Sequence, residues 1–243
     1  MKYVLDTHTH TVASGHAYNT IKEMVEEATN KGLEAIAITD HAPKMPGTCH
    51  EFYFTNLKAI DRSVYSNIEV LFGTELNIMD YDGNVDLSDK VLKTLDIVIA
   101  SFHVPCIAPG TIEQNTNALI KVMENPYINI IGHPDDNRFK IDFEKVVEAS
   151  KRTGTLLELN NSSLRPGGSR VDPYENDREM IRICKEKNVP IVVGSDAHHI
   201  SYVGEHELAY NLLAEQDFPE ELIINTSLSK LKNFINKYKS SLL

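Results

Sequence analysis

The chain has 243 residues, 42% hydrophobic and 24% charged, and a formal net charge of −11. That composition excludes a disordered chain, no apolar run approaches the about 20 residues that span a bilayer, and the start lacks the basic, apolar, small-residue order of a signal peptide, so a cytoplasmic protein is expected. The acidic balance argues against a broad grip on nucleic acid, and Cys49, Cys106 and Cys184, odd in number and widely spaced, read as reduced thiols.

The first element is the short strand Val4-Leu5-Asp6-Thr7-His8-Thr9-His10, where a period of two puts His8 and His10 on one face. Two converging imidazoles suit a divalent cation such as zinc, manganese or iron. Thr20 and Glu23 form a capping box for a helix carried by Ile21, Met24, Val25 and Ala28 and stopped at Gly32. The apolar run 35–39 ends in Asp40-His41, and a loop with Pro43, Pro46 and Gly47 leads to a helix predicted over 54–65. The third run, 69–73, ends in Thr74-Glu75, and 77–86 reads as a small hairpin turning at Asp82-Gly83. The fourth, 96–101, ends in Phe102-His103 before a helix from Thr111 toward Glu124. The fifth, 129–132, runs into His133-Pro134 and a helix over 142–152. The sixth, 155–159, ends in Asn160-Asn161, and the seventh, 190–194, in Ser195-Asp196-Ala197-His198; helical stretches over 204–214 and 228–238 follow.

Seven nearly continuous apolar strands alternating with helices predict a parallel sheet covered by helices, and the even repeat favours a closed or nearly closed barrel. The competing doubly wound open sheet lacks its nucleotide fingerprint after the first strand. No linker or composition shift divides the chain, so 1–243 reads as one domain. In such a barrel the C-terminal strand ends converge on one face. There the sequence places His8, His10, His41, Glu75, His103, His133, Asp196 and His198, with His16 in the first loop. A catalytic zinc takes about three protein ligands, so nine donors imply two or three ions, an arrangement suited to phosphoester hydrolysis, with Glu75 as the bridging carboxylate.

Taken together, His8-x-His10, His16, Thr39-Asp40-His41, Gly73-x-Glu75, His103, Gly132-His133-Pro134 and Gly194-Ser195-Asp196-x-His198 resemble the PHP (polymerase and histidinol phosphatase) family across essentially the whole chain. The run from Val12 to Tyr18 and Glu158-x-Asn160-Asn161-Ser162-Ser163 are most similar to its stand-alone YcdX-type phosphatases. The resemblance implies a distorted (β/α)7 barrel and a trinuclear centre of divalent ions, zinc first, manganese or iron as alternatives. A hydroxide between ions would attack a small phosphomonoester substrate. It implies one ion on His8, His10, Glu75 and Asp196, a second on Glu75, His103 and His133, and a third on His16, His41 and His198; Glu75, Asp196 and His198 are the expected catalytic residues. A phosphodiesterase or nuclease-like hydrolase is the alternative activity, a non-catalytic metal-holding regulatory domain the alternative role, and homo-oligomerisation is left open.

Arg138, Arg165 and Arg170 follow the fifth and sixth strands and offer forked donors for phosphate or substrate charge. Asp40 and Asp6 are expected to orient ligand histidines through the second ring nitrogen. Asp135 and Asp136 read as solvated turn residues, Asn160 and Asn161 as caps of their own turn, and His50, His199 and His206 as bystanders.

Overall fold

Strands β1 (Leu5–Asp6), β2 (Ala35–Ile38), β3 (Glu69–Asn77), β4 (Ile97–Ser101), β5 (Ile130–Ile131), β6 (Leu156–Asn160) and β7 (Ile191–Gly194) pair in chain order, every neighbour parallel. The computed structural model describes residues 3–240, with side chains through 235. Helices alternate with the strands: α1 (Ile21–Asn30), α2 (Glu51–Asn56), α3 (Asp89–Leu92), α4 (Ile112–Met123), α5 (Phe143–Thr153), α6 (Pro173–Lys187), α7 (Glu207–Glu215) and α8 (Leu228–Ser240). Parallel strands need crossovers, and these helices supply them while covering the outward strand face.

The edge strands β1 and β7 almost meet. Beyond their ends Thr9 bridges Ala197, with His10 N donating to Ala197 O at 2.9 Å. Below that point Asn225 stands in for the missing ladder: its amide donates to Leu5 O (3.1 Å) and Val193 O (2.7 Å), and its Oδ1 accepts from Val193 N (2.7 Å). The result is the distorted, nearly closed (β/α)7 barrel that the alternation predicts.

Two layers of core follow from the period of two along each strand. Ile36, Ile38, Val70, Phe72, Val98, Ala100, Leu157 and Val193 pack outward against the helices. Leu5, Ala35, Ala37, Leu71, Ile97, Ile99, Ile130, Leu156 and Val192 fill the barrel's lower interior, and Ile224, Leu231 and Ile235 close it from below. The last two come from α8, which is the floor of the barrel.

Some local expectations change. The helix predicted over 54–65 is the short α2 followed by two 3-10 turns, Leu57–Ala59 and Arg62–Tyr65. The hairpin at 77–86 reduces to one antiparallel bridge, Ile78 to Val85. Helix α6 has no counterpart in the sequence reading, because Arg178, Arg182, Lys185 and Lys187 crowd its exposed side and Asp172 before it makes no side-chain cap. Among the described residues no helix is long and apolar enough to cross a membrane.

Candidate metal centre

On four strands the inward positions continue upward at the same parity, from the apolar interior through a layer of small residues to the mouth. On β2 the sequence is Ala37, Thr39, His41; on β3 Leu71, Gly73, Glu75; on β4 Ile99, Ser101, His103; on β7 Val192, Gly194, Asp196. The parity fails on β1, where Leu5 faces the interior and His8 and His10 still reach the mouth, and on β5, where Gly132 points inward and His133 should point away. His133 reaches the mouth because its backbone is left-handed, φ 29°, and Asp196 is also left-handed at φ 52°. Strain of this kind in non-glycine residues persists only where the surroundings fix it.

Glu75 is fully buried and takes the centre. Its Oε2 lies 3.4 Å from His8 Nε2, 3.5 Å from His10 Nε2 and 2.7 Å from His41 Nδ1; its Oε1 lies 3.1 Å from His103 Nε2 and 2.8 Å from His133 Nε2. Asp196 Oδ1 is 3.2 Å from His10 Nε2 and 3.4 Å from His198 Nδ1. His8 Nε2, His10 Nε2, His41 Nδ1 and Glu75 Oε2 are all buried without a hydrogen-bond partner. Four unpartnered polar atoms in one place are costly unless something binds them. Donors about 2.1 Å from a tetrahedral ion stand about 3.4 Å apart, so the spacing fits a divalent cation. Three overlapping donor triads have their ligand atoms within 4.8 Å of one another: His8, His10 and Glu75; His41, Glu75 and His103; His10, His41 and His198. His16 sits further out, exposed, its ring stacked 4.9 Å from those of both His41 and His198.

The rings are held by partners that fix which nitrogen faces inward. His8 Nδ1 donates to Glu158 Oε1 at 2.8 Å, because a carboxylate can only accept. His103 Nδ1 donates to Asn77 Oδ1 at 2.7 Å, and Asn77 in turn donates to Asp86 Oδ2 at 2.6 Å. His10 Nδ1 lies 3.1 Å from Ser14 Oγ, whose hydroxyl is spent on Asp40 Oδ1 at 2.7 Å, so the histidine donates. Each of these leaves an Nε2 lone pair for a cation. Asp40 therefore orients His10 through Ser14 and touches no ligand ring; Tyr53 OH, Thr11 N and Thr11 Oγ1 also donate to it. Asp6 corrects its expectation more fully: it accepts from Ser195 N, Ser195 Oγ and Gly204 N, pinning the loop that carries Asp196 and His198.

Glu158 has a place the sequence reading did not give it. It is fully buried under the donors, with Oε1 on His8 and Oε2 accepting from His133 N (2.9 Å) and Asn160 Nδ2 (3.0 Å). Gly194 makes the room: a Cβ there would collide with Glu158 Oε1. A glutamate on the inward parity of an otherwise apolar strand is the signal that finds it, since buried carboxylates need partners.

Electrostatics at this end are extreme. Burial pushes the Glu75 carboxyl up, but the imidazoles of His41, His103 and His8 hold it well below the usual range. Burial lowers His8, and the carboxylates of Glu158, Glu75 and Asp196 outweigh that and raise it well above normal. Burial and the neighbouring His198 and His41 push His10 well down; burial, His41 and His198 bring His16 to about 4. Neutral imidazoles are the metal-ready form.

The turn after β5 is a second correction. Asp135 and Asp136 are buried, not solvated. Asp136 is the anchor of Arg138 and accepts from the backbone N–H of Val171, while Asp135 faces Asp177 of α6; burial raises both carboxyls, helped by Glu158 at Asp135 and by Asp135 at Asp177. Asn160 Oδ1 does cap its turn, accepting from Ser163 N, whereas Asn161 Oδ1 fastens the start of α7 through Ala209 N. His50 and His199 cap the short helices that follow them, and His206 packs edge-on against Tyr3 beside Asp6.

A parallel barrel whose C-terminal mouth gathers histidines around one buried glutamate defines a metal-dependent α/β-barrel protein. Relatives place it more narrowly. The PHP domain model matches residues 6–162 and the PHP-associated model residues 173–225. A protein named probable phosphatase from Clostridium novyi is 46% identical over 97% of this chain and 95% of its own. Another so named, from Thermoanaerobacter sp., is 48% identical over 98% and 97%. The chain belongs to the PHP family. Histidinol phosphate phosphatase from Lactococcus lactis, solved with zinc, L-histidinol and phosphate, shares the fold, with a TM-score of 0.65 over 89% of this chain and 95% of its own at 18% identity.

Proposed function

We propose that this protein is a phosphatase that hydrolyses small-molecule phosphomonoesters at a centre of three divalent ions, with zinc as the resident metal. The observation that carries the reading is the convergence of unpartnered histidine nitrogens on the buried Glu75. Its membership in the PHP family, among relatives named as phosphatases, makes it a hydrolase of phosphoric esters.

His8, His10, His16, His41, Glu75, His103, His133, Asp196 and His198 are the proposed ligands, with Glu75 shared and with Asp196 and His198 closing the set. The preponderance of imidazole suits zinc. Three overlapping triads support three ions; they cut across the division that the resemblance implies, since His10 and His41 each serve two triads. When bound, such ions lower the pKa of a coordinated water to give a nucleophile and neutralise phosphoryl oxygens. The chain's own part is orientation: Glu158, Ser14 with Asp40, and Asn77 with Asp86 set the imidazole tautomers, and Arg170 Nη2, 2.8 Å from Asp196 Oδ2, keeps that carboxylate charged. We read 1–243 as one domain, because β7, which lies in the second matched segment, pairs with β6 and bridges back toward β1.

The test is phosphate release from a panel of phosphomonoesters and one aryl diester, using protein as purified, chelator-stripped, and reloaded with zinc, manganese or iron, alongside metal content by mass spectrometry. Monoester turnover that vanishes on stripping and returns with about three bound ions is expected. Preferential diester cleavage, or full turnover after stripping, overturns the reading.

A further inference from the structure

The cleft above the donors has a volume of about 450 Å³ and is lined by all three arginines that the sequence singles out. Their surroundings divide them. Arg170 is partly buried and committed to the centre itself, with Nη2 on Asp196 and Nη1 3.4 Å from Asn160 Oδ1. Arg138 and Arg165 are anchored from one side only. Asp136 accepts from Arg138 Nε at 2.9 and 3.0 Å through its two oxygens, and Arg138 Nη2 also reaches Ser169 O at 3.1 Å. The Arg165 guanidinium carbon lies over the Tyr202 ring, 3.8 Å from its centroid, with Nη2 3.3 Å from Glu205 Oε2. Among the described residues, Arg138 Nη1 and Arg165 Nε and Nη1 have no partner.

The two side chains belong to one ledge. Asn137 N donates to Val171 O at 3.0 Å and Val171 N to Asp136 Oδ1 at 3.4 Å, so the loops after β5 and β6 are fastened together along the cleft's edge. Ion pairs at this exposure contribute little to stability, but they hold a guanidinium in one rotamer, which lowers the ordering cost of binding a ligand. The only carboxylates lining the cleft among the described residues, Asp136 and Asp196, are each engaged by an arginine. An ammonium on a substrate meets no free carboxylate there, whereas an anion meets fixed N–H donors.

We infer that Arg138 and Arg165 form a second anion subsite, and that the preferred phosphomonoester carries a second anionic group, carboxylate or phosphate, on its leaving side. This rests on the phosphatase reading and adds the substrate class to it. The subsite also sets this cleft against cationic leaving groups of the aminoalcohol kind.

Four aryl phosphates test it with the metal-loaded enzyme: para-carboxyphenyl phosphate, para-phenylene bisphosphate, para-tolyl phosphate and para-(aminomethyl)phenyl phosphate. A charged hydrogen-bonded contact predicts a kcat/KM advantage of about 10- to 100-fold for one or both anionic esters over the tolyl ester, carried in KM. The aminomethyl ester falls below both. Which anion gains more names the second group. In Arg138→Gln and Arg165→Gln the ratio of carboxyphenyl to tolyl ester collapses toward one, with metal content and circular dichroism as controls for an intact centre. Equal kcat/KM for anionic and neutral esters, or a preference for the aminomethyl ester, overturns the subsite. If no ester is hydrolysed, the phosphatase reading falls, and calorimetric binding of the matching benzylphosphonates still decides: tighter binding of the carboxylated analogue supports the subsite and equal binding overturns it.

Discussion

The two ends of this barrel are built from the same strands and obey opposite rules. At the floor, Leu5, Leu71, Ile97, Ile99, Leu156 and Val192 meet Leu231 and Ile235 of α8 in a dry, fully buried cluster. At the mouth, equally buried positions hold His8, His10, Glu75, Glu158 and Asp196, with nitrogens and an oxygen left unpartnered. A few residues of strand separate them. The floor supplies apolar burial at about 25 cal/mol per Å², and the mouth stores desolvated polar groups that only a ligand satisfies. Stability is thus concentrated below and function above, with the small-residue layer of Thr39, Gly73, Ser101 and Gly194 as the boundary.

The comparison breaks most clearly if a mouth residue proves structural. Glu75→Gln removes the buried central negative charge, so metal affinity and turnover should fall by more than the about 10- to 100-fold that losing an outer partner costs, while the metal-free protein keeps its wild-type melting temperature or gains. Unchanged metal content by mass spectrometry would show that Glu75 is not shared between ions.

The floor carries the converse expectation. Leu5→Ala leaves a cavity in the dry cluster and should cost about 2–5 kcal/mol in urea unfolding of the metal-free protein, with the metal content of the folded fraction unaltered. A loss of bound metal without a loss of stability would mean that the two ends are not separate.

The smallest effect sharpens the boundary through pH. Asp177, buried against Asp135, has its folded pKa raised well above the ordinary 3.8. The folded state therefore holds a proton that the unfolded chain releases. Its contribution is fully present below about pH 3.8 and is lost as pH climbs through the folded pKa, at up to about 1.4 kcal/mol per pH unit. Asp177→Asn cannot ionise, so its melting temperature should rise relative to wild type between pH 4 and pH 8. A difference that stays flat over that range would show that the fold does not hold Asp177 protonated.

The strand-helix alternation, the nearly closed barrel and the gathering of histidines and carboxylates at its mouth were readable in the sequence, because period-two patterning and the residues just after each strand are local properties. His133 shows the limit of that logic. Its strand parity points it away from the mouth, and only a left-handed backbone turns it in. Helix α6 went unread because its charged surface masks a narrow buried stripe.

The partners that make the donors usable were decided by tertiary structure. Glu158 reaches His8 across 150 positions of chain, and Asn225 seals the β1/β7 seam from a 3-10 turn beyond β7; no local pattern encodes either contact. The same holds for the three arginines, alike as loop residues and separated only by what they meet: Arg170 finds Asp196, while Arg138 and Arg165 find Asp136 and Glu205 at the lining of the cleft. Sequence determined which groups arrive at the mouth, since that depends on strand register. Folding decided which are buried, which are paired and which remain free to bind, since those depend on segments that meet only when the barrel closes.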